Sequence, residues 1–91
     1  MVNYPEKETY TYEDLVHILR MLRAPGGCPW DREQTHESNR RNFLEEAYEA
    51  AEAFDLDDPE LMKEELGDVL MQVLFNIHME EDAGRFTTDD V

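Results

Sequence analysis

Ninety-one residues, with 23 Asp and Glu against eight Lys and Arg, carry a formal net charge of −15 and a pI near 4.3. That length holds one small domain, and that charge argues against a nucleic-acid polymer as a partner, because such binding works through clustered Lys and Arg. A phosphate ligand held through a divalent cation stays compatible, since the cation inverts the local electrostatics.

At 41% hydrophobic residues the chain is too apolar for a disordered acidic tail. One cysteine, Cys28, excludes an internal disulfide and any multi-Cys zinc site. The N-terminus lacks the basic and apolar regions of a signal peptide. The most apolar stretch, Val69 to Met79, is too short to span a bilayer and is interrupted by Gln72, Asn76 and His78. The expectation is a soluble, cytoplasmic chain with no membrane partner.

Residues 1–10 read as an N-terminal arm and 11–91 as the domain. Thr11 with Asp14 resembles a capping box. Leu15, Ile18, Leu19 and Leu22 then recur at helical spacing, predicting an amphipathic helix from about Tyr12 to Arg23. Ala24 to Pro29, with two prolines and two glycines, ends it. Trp30 and Asp31 are expected in a loop, where so large a ring either packs onto the domain or meets a ligand.

Thr35 caps a second helix expected to run to about Asp55. Phe43, Ala47, Ala50, Ala51 and Phe54 share one of its faces. Asp58-Pro59 is a strong start signal for a third helix, running to about Ala83 with Gly84 as its stop. The short connection makes these two helices an antiparallel hairpin. No run alternates like a strand. The fold class is therefore all-α: a helical hairpin plus an N-terminal helix.

The chemistry concentrates on the hairpin. Glu46/Glu49 and Glu65/Asp68 are i, i+3 carboxylate pairs, each projecting from one side of its helix. The pairs lie roughly equal distances from the turn, so they converge. Ordinary solvated helix acids are the simpler alternative. Against it, Glu65 and Asp68 share a stripe with Gln72 and Asn76 on a helix apolar nearly all round beyond Asp68, so the stripe faces protein rather than bulk water. Facing acids of this kind need a metal, protons or basic partners, and only Lys63 is basic between Glu45 and Asp68. Hard oxygen ligands suit Mg²⁺ or Mn²⁺. Three helices also cannot cover an all-round apolar helix. Self-association into a four-helix-type bundle is the natural remedy.

Cys28-Pro29-Trp30-Asp31, Gln34-Thr35-His36-Glu37-Ser38, Leu44-Glu45-Glu46-Ala47-Tyr48-Glu49, Glu64-Glu65-Leu66-Gly67-Asp68 and Gly84-Arg85-Phe86-Thr87 occur in order. Together they resemble the MazG family of nucleoside triphosphate pyrophosphohydrolases over nearly the whole chain from Thr11. The resemblance implies an all-α NTP pyrophosphatase fold, a homodimer or dimer of dimers, Mg²⁺ dependence, and hydrolysis of (d)NTPs to the monophosphate and pyrophosphate. It implies Glu46, Glu49, Glu65 and Asp68 as metal ligands. Glu45 and Glu46 become the catalytic candidates, with Glu45 contacting a second metal or orienting the attacking water. Arg40, Arg41 and Lys63 are the nearest basic groups for phosphate, and Trp30 for stacking on a base. Arg40 and Arg41 have an alternative role in pairing with helix acids. Asn39, Gln72 and Asn76 suit hydrogen bonds between helices, His36 suits capping or packing, and His17 and His78 read as structural.

Family members with two tandem modules exist, and this chain carries one. The alternative function is accordingly a weak or vestigial dimerisation or regulatory module. A di-iron bundle lacks its Glu-x-x-His pairs, a calcium loop at Asp55 to Asp58 fails at Pro59, and a nucleic-acid mimic would spread its charge outward.

Overall fold

A computed structural model of the chain describes residues 4–91. Four helices follow in order, α1 (Tyr12–Arg23), α2 (Pro29–Glu33), α3 (His36–Leu56) and α4 (Pro59–Asp82), with no strand among the described residues. The first three residues of the expected arm lie outside the described part. Among the described residues, no helix is long and apolar enough to cross a membrane. The chain divides into two compact units, one ending at Gln34 and the other beginning at Thr35.

In the first unit, Thr11 caps α1 in a reciprocal box with Asp14. Asp14 is buried, yet it is well supplied with donors. Tyr4 Oη and Lys7 Nζ donate to its Oδ1 at 2.5 and 2.6 Å, and the Thr11 N–H donates to Oδ2 at 2.8 Å. Lys7 above all, then the Thr11 and Tyr4 bonds, holds the Asp14 carboxyl well below the usual carboxylate range. The arm from Tyr4 is thereby fastened to the start of α1.

The chain leaves α1 by folding tightly back on it. The Cys28 N–H donates to the Leu22 carbonyl at 2.7 Å. A Cβ at Gly27 would stand 2.1 Å from the Met21 carbonyl oxygen, so only glycine fits there. The expected loop at Trp30 and Asp31 is instead the short helix α2. Pro29 at its first position presets the helical φ, and the Arg32 N–H closes the turn on the Cys28 carbonyl at 3.1 Å. Arg23 donates to the backbone carbonyls of Asp31 and Gln34, tying the end of α1 to that of α2.

The second unit is the antiparallel hairpin of α3 and α4. Thr35 caps α3 in a box with Ser38. Asp57 reverses the chain in the left-handed region, φ 52° and ψ 41°, which Asp tolerates better than most residues. Asp58 then accepts from the Glu60 and Leu61 N–H groups, and Pro59 opens α4. At the other end, Gly84 (φ +73°) stops α4. The Gly84 and Arg85 N–H groups donate to the Glu81 and Glu80 carbonyls, which is a Schellman closure.

Two expectations about faces need correction. On α3 the buried positions are Asn39, Ala50 and Ala53, while Ala47, Ala51 and Phe54 are exposed. The helix is turned so that the line of Asn39, Ala50 and Ala53 is covered, with the apolar face partly bare. On α4 the buried residues run only from Leu74 to Glu80, and Leu66 and Leu70 remain exposed. A single hairpin covers one side of α4, not its whole circumference.

Gly27→Ala should lower stability by about 1–3 kcal/mol through overpacking against fixed backbone. Urea unfolding of the two proteins checks this as a lower midpoint at unchanged slope.

Candidate metal centre

Carboxylate oxygens of Glu46 and Glu49 from α3 and Glu65 from α4 lie within 4.8 Å of one another. Antiparallel pairing puts them together because they stand at similar distances from the Asp57 turn. Glu46 and Glu65 are half-buried and Glu49 is exposed, so the cluster opens to solvent on one side. One oxygen each of Glu46 and Glu65 is buried without any hydrogen-bond donor. Asp68 is not within that close set, but its charge acts on both Glu46 and Glu65.

Such crowding makes ionisation costly. Burial, then the charges of Glu49 and Asp68, pushes the Glu46 carboxyl above its usual range. Burial, then the hydrogen bond and charge of Glu49, does the same to Glu65. A cation of charge +2 would reverse both effects, and the donor-free buried oxygens are positioned to ligate one. The set is all carboxylate oxygen, which suits a hard divalent ion such as Mg²⁺ or Mn²⁺. These residues therefore fit the metal that the sequence suggests.

The other expected residues lie outside this close set. Glu45 lies exposed beside Glu46 and accepts from Arg41 Nε at 3.0 Å. Lys63 pairs with Glu60 at 3.0 Å. Both pairs are exposed, so each contributes only about 0–1 kcal/mol and yields readily to a phosphate. Arg40 stands at the rim of a cavity of about 440 Å³ with His36, Phe43 and Asn76. Trp30 belongs to the first unit and is 76% exposed, so it is not a core residue. Asn39 Nδ2 donates to Gln72 Oε1 at 2.7 Å, an inter-helix bond. His78 is buried and His17 exposed.

One cluster has no counterpart in the sequence reading. His36 lies between Asn76 Oδ1 and Glu80 Oε1, and Arg85 forks onto the buried Glu80. The signal for it is present in the spacing. Gln72, Asn76 and Glu80 continue the polar stripe in four-residue steps, and His36 lies about as far from the turn as they do.

Comparison with known proteins adds a family to this geometry. The sequence model of the MazG nucleotide pyrophosphohydrolase domain matches residues 34–91. A Thermotoga maritima protein named nucleoside triphosphate pyrophosphohydrolase/pyrophosphatase MazG is 51% identical over 80 residues, 88% of this chain and 31% of that protein. The Bacillus subtilis protein YabN, uncharacterized, is 55% identical over 74 residues, 81% of this chain and 15% of its own length. The nucleoside triphosphate pyrophosphohydrolase of Escherichia coli K12 is 42% identical over 78 residues, 85% of this chain and 30% of that protein. The chain thus spans less than a third of these relatives. Its matched region contains the whole acid cluster and the hairpin that assembles it, and the chain belongs to the MazG nucleotide pyrophosphohydrolase family.

Proposed function

We propose that this chain hydrolyses nucleoside triphosphates, (d)NTP and water giving (d)NMP and pyrophosphate, in a Mg²⁺-dependent reaction that Mn²⁺ also supports. The observation that carries this reading is the pair of donor-free buried oxygens on Glu46 and Glu65 beside Glu49. The names of the Thermotoga and Escherichia relatives supply the substrate class.

Glu46, Glu49 and Glu65 would hold the ion, with Asp68 adding negative charge beside them. When bound, the ion neutralises the triphosphate and withdraws charge from the reacting phosphoryl group. Glu45 orients the water that attacks the α-phosphorus in line. The bond to the bridging oxygen breaks as the new one forms, pyrophosphate departs, and one proton is released. Arg40, Arg41 and Lys63 are the chain's cations for phosphate oxygens, and Trp30 is its ring for a base. The reaction suits the cleaning of nucleotide pools in the cytoplasm.

The same reading includes a homodimer or dimer of dimers. Leu44, Tyr48, Phe54, Leu56, Leu66 and Leu70 are exposed on the two hairpin helices. Apolar side chains in that number favour burial against another copy. Light scattering at micromolar concentration should give at least twice the chain mass, and a monomer contradicts this part of the reading.

Pyrophosphate release from a panel of (d)NTPs with Mg²⁺ is the direct assay. Glu46→Gln and Asp68→Asn should each reduce it by about 100-fold or more. A folded, metal-loaded wild type that releases none from any nucleotide rejects the reading.

Thermal unfolding separates the metal from the chemistry. Without divalent ions, Glu65→Gln should melt above the wild type, because it removes a partly buried charge facing like charges. Mg²⁺ at about 100 times its Kd should stabilise the wild type by about 2.7 kcal/mol and leave Glu65→Gln nearly unchanged.

A further inference from the structure

The His36 cluster stands at the far end of the hairpin from the Asp57 turn, ten residues along α3 from Glu46, or about 15 Å. The charge state of its imidazole follows from its partners. Nε2 faces Glu80 Oε1 at 2.5 Å and Nδ1 faces Asn76 Oδ1 at 2.7 Å. The Asn76 amide is fixed in that orientation, because its Nδ2 donates to the Gln72 carbonyl at 2.7 Å. Turning it round would set oxygen against oxygen. Both ring nitrogens therefore meet acceptors, and only the doubly protonated ring can donate to both.

Glu80 is 4% exposed and fully engaged. Arg85 Nη2 donates to its Oε1 at 2.6 Å, and Arg85 Nε donates to its Oε2. Asn76 connects this cluster to Gln72, and Gln72 accepts from Asn39. The result is a polar seam that runs from His36 down the hairpin toward the acids.

We infer that His36 is a positioning residue for the acid cluster: as an imidazolium donating both ring N–H groups, it fastens the first turn of α3 to the last turns of α4, and loss of its proton loosens that end of the hairpin. This rests on the metal-dependent function proposed above. The groups that face His36 are Asn76 and Glu80 from α4 and Arg85 from the tail. Glu37 and Arg40 flank it on α3, and the positive end of the α3 dipole opposes its charge.

Asn76 and Glu80 raise the His36 pKa above 6.5, against burial and Arg85. Its contribution is complete below about 6.5 and is lost as pH rises through the folded-state value. Arg85, then His36, lowers the Glu80 pKa to about 2. That contribution is present above about 4.5 and is lost as pH falls toward 2. The seam is tightest between these two limits.

Two measurements on the full chain test this. The ¹⁵N spectrum of the His36 ring should show both nitrogens protonated on the acid side of a midpoint that lies above 6.5 and falls in Glu80→Gln. Mn²⁺ affinity should be weakened about tenfold in His36→Gln at pH 6.5, the scale of a lost charged hydrogen bond. The ratio of wild-type to variant affinity should fall as pH rises through the ring's own midpoint, as the wild type loses its second N–H. A ring midpoint at or below 6.5 overturns the inference. So does an affinity ratio that stays near one, or one that is large and unchanged with pH. A wild type that binds no Mn²⁺ at all contradicts the proposed function itself, and the positioning role falls with it.

Discussion

The acid cluster depends on the register between α3 and α4. Its three carboxylates meet within 4.8 Å although they come from two helices. A slip of one helical turn is about 5.4 Å, larger than the whole cluster. The turn fixes one end, with Asp57 in the left-handed region and Asp58 capping α4. The His36–Asn76–Glu80 contacts hold the other end, and the Asn39–Gln72 bond supports it one helical turn nearer the acids. A polar seam specifies register better than an apolar one here, because a slip would leave the buried Asn39 amide and Glu80 carboxylate without partners.

The hairpin thus supports two charged clusters with opposite electrostatics. Around Glu80 the charges are balanced: Arg85 and His36 meet one carboxylate, and its pKa falls to about 2. Around Glu46 and Glu65 only like charges meet, and the carboxyls are pushed up. The first group holds the helices together, and in the second the like charges repel. Sites of this kind commonly cost the free protein stability. The acids behind the net charge of −15 also differ in role. Acids such as Asp57, Asp58 and Glu60 shape and solvate a turn, while those of the cluster face one another.

Much of this was legible in the sequence, because it rests on short-range rules. Thr11, Thr35 and Asp58 cap helices where their side chains predict, and Gly84 ends α4. The i, i+3 acid pairs and the short turn already bring Glu46 and Glu65 to one level. Less legible was what depends on rotation about a helix axis. The face of Phe43, Ala47, Ala50, Ala51 and Phe54 on α3 looks like a core face by period alone, and of these only Ala50 is buried. Asn39 and Ala53, outside that set, are the other buried positions. The Pro29–Glu33 turn was hidden because the prolines and glycines before it are breakers, while Pro29 itself starts a helix. The partners of His36 lie 40 and 44 residues away, and only the folded hairpin brings them together.

We propose that Glu46, Glu49 and Glu65 gather around a divalent cation. Anomalous diffraction from crystals of the chain grown with Mn²⁺ tests it without reference to turnover. A single strong peak within ligand distance of all three carboxylates, about 2.0–2.6 Å, is the predicted result. Manganese bound elsewhere with these three carboxylates left unligated would contradict the account.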